Sequence, residues 1–318
     1  MNYKLGVVMD PIGAINPRKD STLAMLLDAR ARGWTLHYME MDDLYVLDGV
    51  AHASMRSLEV TDSTTDWFTL GDSSDRPLGD LDIVLMRKDP PVDLEFISAT
   101  YILERAEAEG VLVSNRPRAL RDVNEKVCTA WFPQCCPATL FTRSQDRLRA
   151  FLAEHGSMVL KRVDAMGGRS IFVIHPDEPN TNVILEEMTR RGTRHVIAQA
   201  YLAAVTDSGD KRILLIDGDP VPEAVTRMPG PDDFRANLAT GATPHPAALT
   251  ERDRWICAEI GPTLEAWGVH FAGIDVIGGH LTEINVTSPT CIREIDRFHG
   301  VDIAARLMDA LEARRTRE

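Results

Sequence analysis

The sequence predicts an α/β (α+β) protein in three parts, of which the first is a doubly wound parallel sheet. Short apolar runs alternate with helical stretches over the first third of the chain, which is the pattern of parallel strands joined by crossover helices. After residue 205 the apolar runs lie closer together, as expected for strands joined by short connections. We place the parts at residues 1–122, 123–200 and 201–318.

Bulk composition narrows the class of protein. The 318 residues are 44% hydrophobic and 26% charged, as in globular proteins. The formal net charge of −13 argues against a nucleic-acid partner. We find no apolar run long enough for a signal peptide or a membrane span. Five cysteines without a C-x-x-C pair indicate reduced thiols. We therefore expect a cytoplasmic protein that binds neither nucleic acid nor membrane.

The first part alternates strands and helices. A strand at 5–9 is followed by a helix with Asp20 or Ser21 as N-cap and Gly33 as its stop. Parallel sheets bind ligands beyond the carboxyl ends of their strands, here at Asp10 and at 87–89. Residues 48–80 are polar and irregular, and we assign no element to them. The remaining predicted elements are strands at 35–40, 82–87 and 111–115 and a helix at 93–110.

The other two parts mix both element types. In the second part we predict helices at 124–131, 145–154 and 182–191 and strands at 158–163, 170–175 and 195–202. In the third part we predict strands at 211–217, 220–227, 270–277 and 281–286 and a helix at 250–267.

The hairpin HFAGIDVIGGHLTEINV (270–286) gathers polar groups on one face. A two-residue turn at its glycines would mix polar with apolar side chains. A three-residue loop instead places Asp275 opposite Glu283, with Asn285 on the same face, and leaves the other face apolar, so we favour it. Facing carboxylates repel unless a cation lies between them, and hard oxygen ligands suit Mg²⁺. The alternative is a solvated sheet face.

Two glycine-containing segments have the composition of closing loops. Gly167 and Gly168 lie between two strands, next to Lys161, in a segment that is not a P-loop because no helix follows. Such a loop covers phosphates with its N–H groups, or it is an ordinary turn. The segment 227–246 is rich in Gly, Pro, Ala and Thr, and it is either a surface loop or a lid.

Basic residues recur beside these features in an otherwise acidic chain. If they converge on one cleft, they would bind phosphoryl oxygens and a developing oxyanion. The alternative for each is a solvated surface position. They are Lys126, Lys161, Lys211, Arg212, Arg227, Arg235 and Arg293.

Six stretches carry a resemblance to a known family over nearly the whole chain. They are VMDPI (8–12), LMRKDPP (85–91), ATYILERAEAEG (99–110), LRDVNEK (120–126), GDKR (209–212) and LTEINVTSPTCIREI (281–295). In this order they resemble the ATP-grasp ligases, and more closely the bacterial glutathione synthetase family.

The resemblance implies an ATP-grasp fold and an ATP-dependent ligation. ATP would phosphorylate the cysteinyl carboxylate of γ-glutamylcysteine, and the amine of glycine would then displace phosphate to give glutathione, with ADP and phosphate as the other products. It also implies Mg²⁺, or Mn²⁺ in its place, as cofactor, ATP as co-substrate and a homotetramer. The alternatives are a carboxylate–amine ligase with other substrates, or a non-catalytic ATP-binding module.

Residue roles follow from the resemblance at matching positions. The implied ATP contacts are Lys126, Lys161, Gly167, Gly168, Gln199, Tyr201, Leu202, Asp210 and Lys211. The implied metal ligands are Asp275, Glu283 and Asn285. Arg212, Arg227 and the lid residue Arg235 would stabilise charge during catalysis. Arg87, Ser288, Thr290 and Arg293 would bind the peptide substrate.

The chain departs from the family pattern in its loops. Ala165, Ala236 and Ala242 stand where the family has glycine, and Arg162 stands where it has proline. If Ala165 requires a positive φ, its side chain has a conformational cost. We therefore expect altered loop and lid motion with the charged groups intact.

Overall fold

The computed structural model describes residues 2–231, 233 and 235–317, so Asp232 and Phe234 of the predicted lid lie outside the described residues. It contains three β-sheets with helices packed on them. No helix in these described ranges is long and apolar enough to cross a membrane.

The first sheet has a parallel core, as predicted. β1 pairs in parallel with β2 and β6, and β6 pairs in parallel with β7. Four of the five β1 residues are buried, because helices cover both faces of a parallel sheet. The seven strands are β1 (Lys4–Val8), β2 (Thr35–Met39), β3 (Leu44–Leu47), β4 (Val50–Val60), β5 (Phe68–Pro77), β6 (Ile83–Met86) and β7 (Leu112–Ser114).

An antiparallel extension occupies the region to which we assigned no element, so that part of the prediction is wrong. β4 pairs with β2, β3 and β5. Ala51, Ala53 and Met55 alternate with more exposed residues along β4. The alternation is present in the sequence, but alanine side chains are small, so the two faces of the strand differ little in hydrophobicity. Pairing with β2 stabilises the strand.

Helices α1 (Ser21–Ala31), α2 (Leu94–Ala108) and α3 (Pro117–Asp122) complete the first part. Asp20 is the N-cap of α1, with its carboxylate accepting from the N–H of Leu23 at 2.6 Å. The predicted ligand-binding strand ends meet: Lys88 lies 2.8 Å from Asp10, which also accepts from the N–H of Asp89.

The second sheet is antiparallel and has one covered face. Leu160 and Ala198 pack against α4 and α5, so the intervening residues of the same strands point to the opposite face. The predicted helix at 124–131 is a 3₁₀ helix over Val127–Trp131. The elements are β8 (Thr139–Thr142), α4 (Gln145–His155), β9 (Met158–Arg162), β10 (Ile171–Ile174), α5 (Thr181–Thr189) and β11 (Val196–Ala200).

The third sheet is also antiparallel, in the order β14-β13-β12-β15-β16. Ile213 and Ile274 pack against α7 on one face, while Leu214 packs with the first part and α9 on the other. Its elements are α6 (Ala204–Ser208), β12 (Asp210–Ile216), β13 (Asp219–Met228), β14 (Thr243–Ala248), α7 (Glu251–Trp267), β15 (Phe271–Ile277), β16 (His280–Asn285), α8 (Ile292–His299) and α9 (Ile303–Arg317).

The β15–β16 hairpin confirms the predicted polar register but not the predicted loop. Asp275 lies opposite Glu283, as expected. The turn, however, has two residues, Gly278 and Gly279, both with positive φ. An irregularity after Asp275 shifts the register by one residue. A type I′-like glycine turn and a bulge together give the pairing that we had assigned to a three-residue loop.

Asn115 joins the first part to the third sheet. Its side-chain N–H groups donate to the carbonyls of Phe271 and Val286, both at 2.7 Å. Its amide oxygen accepts from the N–H of Phe271 at 2.8 Å. The residue is buried, so these three bonds replace water contacts at the junction.

We expect Asn115→Ala to lower the free energy of unfolding by about 2–4 kcal/mol, because it leaves buried backbone groups at Phe271 and Val286 unpaired. Denaturant unfolding followed by circular dichroism measures this change. Asn180→Ala is the matched control, since Asn180 is exposed and makes no side-chain capping bond. Equal midpoints for the two variants would contradict the role of Asn115.

Candidate active site

The floor of a deep cleft is one face of the third sheet. Opposite residues on antiparallel strands share a face. Arg212 lies opposite Asp275, Asp275 opposite Glu283, and Asp210 opposite Arg227. Because Asp210 and Arg212 are two apart on β12, they also share a face. Five charged side chains from four neighbouring strands therefore occupy one surface.

Asp275 is the centre of this charged floor. Arg212 binds it through two nitrogens, with Nε 2.6 Å from Oδ1 and Nη2 3.1 Å from Oδ2. Arg227 Nη2 lies 3.0 Å from the same carboxylate. All three residues are buried. Burial alone would raise the pKa of Asp275, but the two guanidinium groups outweigh it and hold the pKa well below its usual range.

Asp210 has an oxygen without a partner. Arg227 Nη2 lies 2.6 Å from Oδ2, whereas Oδ1 is buried and has no hydrogen-bond partner among the described residues. Burial raises the pKa of Asp210 to about 7, a shift that Arg227 opposes and Asp275 increases. Since Asp210 lines the cleft, Oδ1 is suited to accept a hydrogen bond from a ligand hydroxyl.

The roof of the cleft is the uncovered face of the second sheet. Lys161 donates to Gln199 Oε1 at 2.9 Å, and Gln199 is buried while Lys161 is half-buried. Burial lowers the pKa of Lys161. Val159, Ile171 and Leu202 add apolar surface beside them. An apolar slot next to a lysine matches a heteroaromatic ring attached to an anionic chain.

Lys126 connects roof and floor. Its ammonium group lies 2.9 Å from Glu283 Oε1 and donates to the carbonyl of Ala165 at 2.6 Å. Burial alone would lower the pKa of Lys126, but Glu283 outweighs it and the pKa is raised. Lys126 therefore stays charged, and it links Glu283 to the loop that contains Gly167 and Gly168.

Two loops close over the cleft and touch each other. Gly167 and Gly168 have φ angles of 61° and 79°, and Arg235 Nη1 donates to the carbonyl of Gly168 at 3.2 Å. Ala165 is not among the residues with positive φ, so the conformational cost considered for it does not arise. Ala236 and Ala242 are buried and also lack positive φ.

The structure brings most of the predicted site residues to this cleft, which encloses about 480 Å³. They are Lys126, Lys161, Gly167, Gly168, Gln199, Tyr201, Leu202, Asp210, Arg212, Arg227, Arg235, Asp275, Glu283, Asn285, Ser288 and Thr290.

Three predicted residues, Lys211, Arg87 and Arg293, do not line this cleft. Lys211 is on the far face of β12, where it pairs with Asp253 of α7 at 2.6 Å, because strand alternation turns it away from Asp210 and Arg212. Arg87 and Arg293 also do not line the cleft.

Arg87 and Arg293 instead hold neighbouring segments in place. Arg87 is buried and donates to Thr22 Oγ1 and to the carbonyl of Pro289, so it supports the turn after β16. Arg293 pairs with Asp62 at 3.0 Å. The Nε and Nη2 atoms of Arg293 are buried and have no hydrogen-bond partner among the described residues.

Sequence reasoning missed several acidic residues of the site. Glu125 is half-buried, and its Oε1 accepts from the N–H of Val286 and from the N–H and hydroxyl of Thr287 at 2.8–3.0 Å. Its position next to Lys126 was the only available signal. Asp20 and Glu294 line the cleft as well, although their sequence positions predict only a helix cap and a helix turn.

The donor chemistry of Asp275, Glu283 and Asn285 fits a hard divalent cation that takes its remaining ligands from phosphates and water. Glu283 is the most accessible carboxylate of the floor, with 17% of its side chain exposed against 2% for Asp275. In the described part of the chain no three or more His, Cys, Asp or Glu residues form a protein-only metal cluster.

Comparison with known proteins gives two family matches that together span most of the chain. Residues 3–121 match the N-terminal domain of prokaryotic glutathione synthetase, and residues 125–300 match its ATP-grasp domain. The glutathione synthetase of Pseudomonas putida is 55% identical over 312 residues, and that of Escherichia coli K12 is 54% identical over 311 residues. In both cases 98% of each chain is covered.

Solved structures show the same fold at low identity. A D-cycloserine synthetase matches with a TM-score of 0.70 and 17% identity, covering 98% of this chain and 99% of the other. The D-alanyl-alanine synthetase A of Vibrio cholerae matches with a TM-score of 0.62 and 12% identity over the whole of both chains. The ATP-grasp fold is therefore present.

We expect Gly168→Ala to lower kcat/KM for ATP about 10-fold with little change in stability. An added Cβ would lie 2.7 Å from Asn237 Oδ1, and φ is already left-handed, so the glycine loop could not dock on the lid. Gly230→Ala is the matched control, since an added Cβ meets nothing within 4 Å there. Steady-state kinetics compares the variants; identical values would rule out the loop contact.

Proposed function

The chain belongs to the prokaryotic glutathione synthetase family, and from this premise we propose how its cleft carries out the reaction. The chain is an ATP-dependent ligase that joins γ-glutamylcysteine and glycine through an acyl phosphate and releases glutathione, ADP and phosphate. The observation that supports our assignment of roles is the single cleft in which all three parts of the chain contribute charged side chains.

The nucleotide lies between the roof and the floor. Its adenine occupies the apolar slot by Val159 and Leu202, with its edge read by the segment Gln199–Leu202. Asp210 Oδ1 accepts from a ribose hydroxyl, which satisfies its missing hydrogen bond. Lys126 and Lys161 bind the phosphates, and the N–H groups of the glycine loop cover them.

A carboxylate is a poor acyl donor, because its leaving group would be oxide. In the first step an oxygen of the cysteinyl carboxylate attacks the γ-phosphorus of ATP, and ADP leaves. Arg212 and Arg227 stabilise the charge that develops on the transferring phosphoryl group. Their pairing with Asp275 orients both guanidinium groups before substrate arrives, so little reorganisation is needed during the reaction.

Asp275, Glu283 and Asn285 would hold Mg²⁺, or Mn²⁺, near the phosphates. When bound, the ion neutralises phosphate charge and fixes the geometry of the transfer. In the structure Glu283 is paired with Lys126 and Asp275 with Arg212. The charges of these carboxylates are therefore nearly balanced before an ion would bind.

In the second step the glycine nitrogen attacks the acyl carbon, and phosphate leaves as the peptide bond forms. Water would compete for the same carbon, so the acyl phosphate must be shielded. Arg235 and the glycine loop provide this cover, since they already contact each other over the cleft. Ser288 and Thr290, at the end of the floor, bind the peptide.

We further propose that residues 1–122 form the substrate-binding part, 123–200 the cover and 201–318 the part with the metal site. The protein works in the cytoplasm as a homotetramer. Support for the compartment comes from its five free cysteines, four of them buried. Support for assembly comes from exposed apolar side chains at Val46, Leu47 and Val50 on the β3–β4 hairpin.

Release of ADP with ATP and Mg²⁺ tests the reaction and its substrates. We expect release only when γ-glutamylcysteine and glycine are both present, together with a product of glutathione mass. Each substrate alone is the control. No release with both substrates would contradict the substrates and leave only the fold.

Glu283→Gln is expected to fold and to reduce turnover by at least about 10–100-fold at limiting Mg²⁺, because a metal ligand loses its charge. A Mg²⁺ titration of the rate measures the effect. Glu186→Gln, an exposed change on α5, is the matched control. A near-normal rate for Glu283→Gln at low Mg²⁺ would sink the metal assignment.

A further inference from the structure

Glu125 makes four hydrogen bonds to one short segment of the chain, and the reaction described above gives it no role. Its Oε1 accepts from the N–H of Val286 at 2.9 Å and from the N–H and hydroxyl of Thr287 at 3.0 and 2.8 Å. Its backbone carbonyl accepts from the N–H of Ile284 at 2.9 Å. These four bonds hold the end of β16 and the two residues that follow it.

β16 needs such a partner because it is the last strand of the third sheet. Alternate backbone groups of an edge strand face away from the sheet and stay unpaired unless another segment covers them. The N–H groups of Ile284 and Val286 face this way, on either side of Asn285. Glu125 therefore takes the place that a neighbouring strand would occupy.

The residue between these two contacts is one of the proposed metal ligands. Asn285 Nδ2 donates to the carbonyl of Gly273 at 3.1 Å and lies 3.4 Å from Asp275 Oδ2. This orientation directs the donor nitrogen toward β15, so Oδ1 is the atom available to a cation. Because Glu125 fixes the backbone on both sides of Asn285, it also fixes where that oxygen lies.

Glu125 also fixes the residue that follows it. Lys126 places its ammonium group 2.9 Å from Glu283 Oε1 and 2.6 Å from the carbonyl of Ala165. Since Glu125 and Lys126 are adjacent, the bonds of Glu125 to the outer edge of β16 determine how far the Lys126 backbone lies from Glu283. The strand with two of the proposed metal ligands is thus held at its edge by Glu125 and in the cleft by Lys126.

The negative charge of Glu125 matters for this arrangement. One of its oxygens accepts from three donors at once, and a carboxylate accepts more strongly than a neutral amide does. Glutamine at this position would have nearly the same shape but a weaker acceptor. We therefore expect glutamine to hold the backbone of Val286 and Thr287 less firmly.

We propose that Glu125 is a positioning residue that holds Asn285 and Lys126 where they bind Mg²⁺ and the ATP phosphates. This inference rests on the proposed function, because it concerns the metal and nucleotide site of that reaction. Glu125 acts through the backbone of β16 and replaces none of the three metal ligands. Loss of its charge therefore weakens ion binding by a chain that is still folded.

The test measures ion binding directly on the full chain. Mn²⁺ stands in for Mg²⁺, electron paramagnetic resonance follows the free ion, and an ATP analogue with an imido group between its β- and γ-phosphorus prevents turnover. For Glu125→Gln we expect the Kd for Mn²⁺ to rise about 10–100-fold, as for other residues that orient metal ligands. Circular dichroism checks that the variant is folded at the temperature of the titration. The exposed control Glu186→Gln should bind Mn²⁺ like the wild type.

Thr287 provides a second test that leaves the carboxylate in place. Thr287→Val removes only the hydroxyl that donates to Glu125, and Thr287→Ser keeps it. We expect Thr287→Val to raise the Kd for Mn²⁺ about 2–10-fold, as for one lost hydrogen bond, and Thr287→Ser to stay within about twofold of the wild type. This pair decides the question if Glu125→Gln does not fold.

A folded Glu125→Gln chain that binds Mn²⁺ as tightly as the wild type would overturn the inference, because a purely structural role lowers stability without changing the affinity of the folded protein. Equal Kd values for Thr287→Val and Thr287→Ser would overturn it as well. Both outcomes leave the ligase reaction standing. A wild-type chain that binds no Mn²⁺ in the presence of the analogue would overturn the proposed metal site together with the inference.

Discussion

The structure depends on the burial of Arg212 and Arg227 around Asp275 at the centre of the third sheet. Removing three charges from water is costly unless each is paired with good geometry. The sheet meets this requirement through strand register, because β12, β13 and β15 place the groups side by side. The positive groups of the cleft are thus fixed by backbone pairing, and their orientation does not depend on a bound ligand.

Two kinds of contact connect the third sheet, which forms the floor of the cleft, to the other two parts of the chain. Asn115 makes three short hydrogen bonds that hold the first part against the third sheet. Glu125, at the start of the second part, accepts three more from Val286 and Thr287 beside the floor. The loop of Gly167 and Gly168 reaches the floor through Lys126, which contacts both Ala165 and Glu283, and through the contact of Arg235 with Gly168. Those contacts lie in loops, and loops open at lower free energy than packed strands.

Three features of the structure differ from what the sequence indicated, each for a physical reason. Strand β4 was missed because its buried face contains alanines, which contribute little apolar contrast. The loop of the β15–β16 hairpin was given one residue too many, because a bulge after Asp275 cannot be read from residue types. Lys211 was grouped with its neighbours by sequence, whereas alternation along β12 turns it to the opposite face.

Local patterns in the sequence alone determined the parallel core, the strands of the ATP-grasp part other than β8 and β14, and the facing of Asp275 by Glu283, because these depend on periodicity and on a preference for one apolar face. The resemblance added the reaction. Only the tertiary structure decided which charges share the cleft and which, such as Arg87, stand behind its wall. It also brought the N–H of Ile292 to within 3.2 Å of Ser21 Oγ, although 271 positions separate the two residues. This contact arises from the packing of α8 on α1, and the residue pattern of neither helix predicts it.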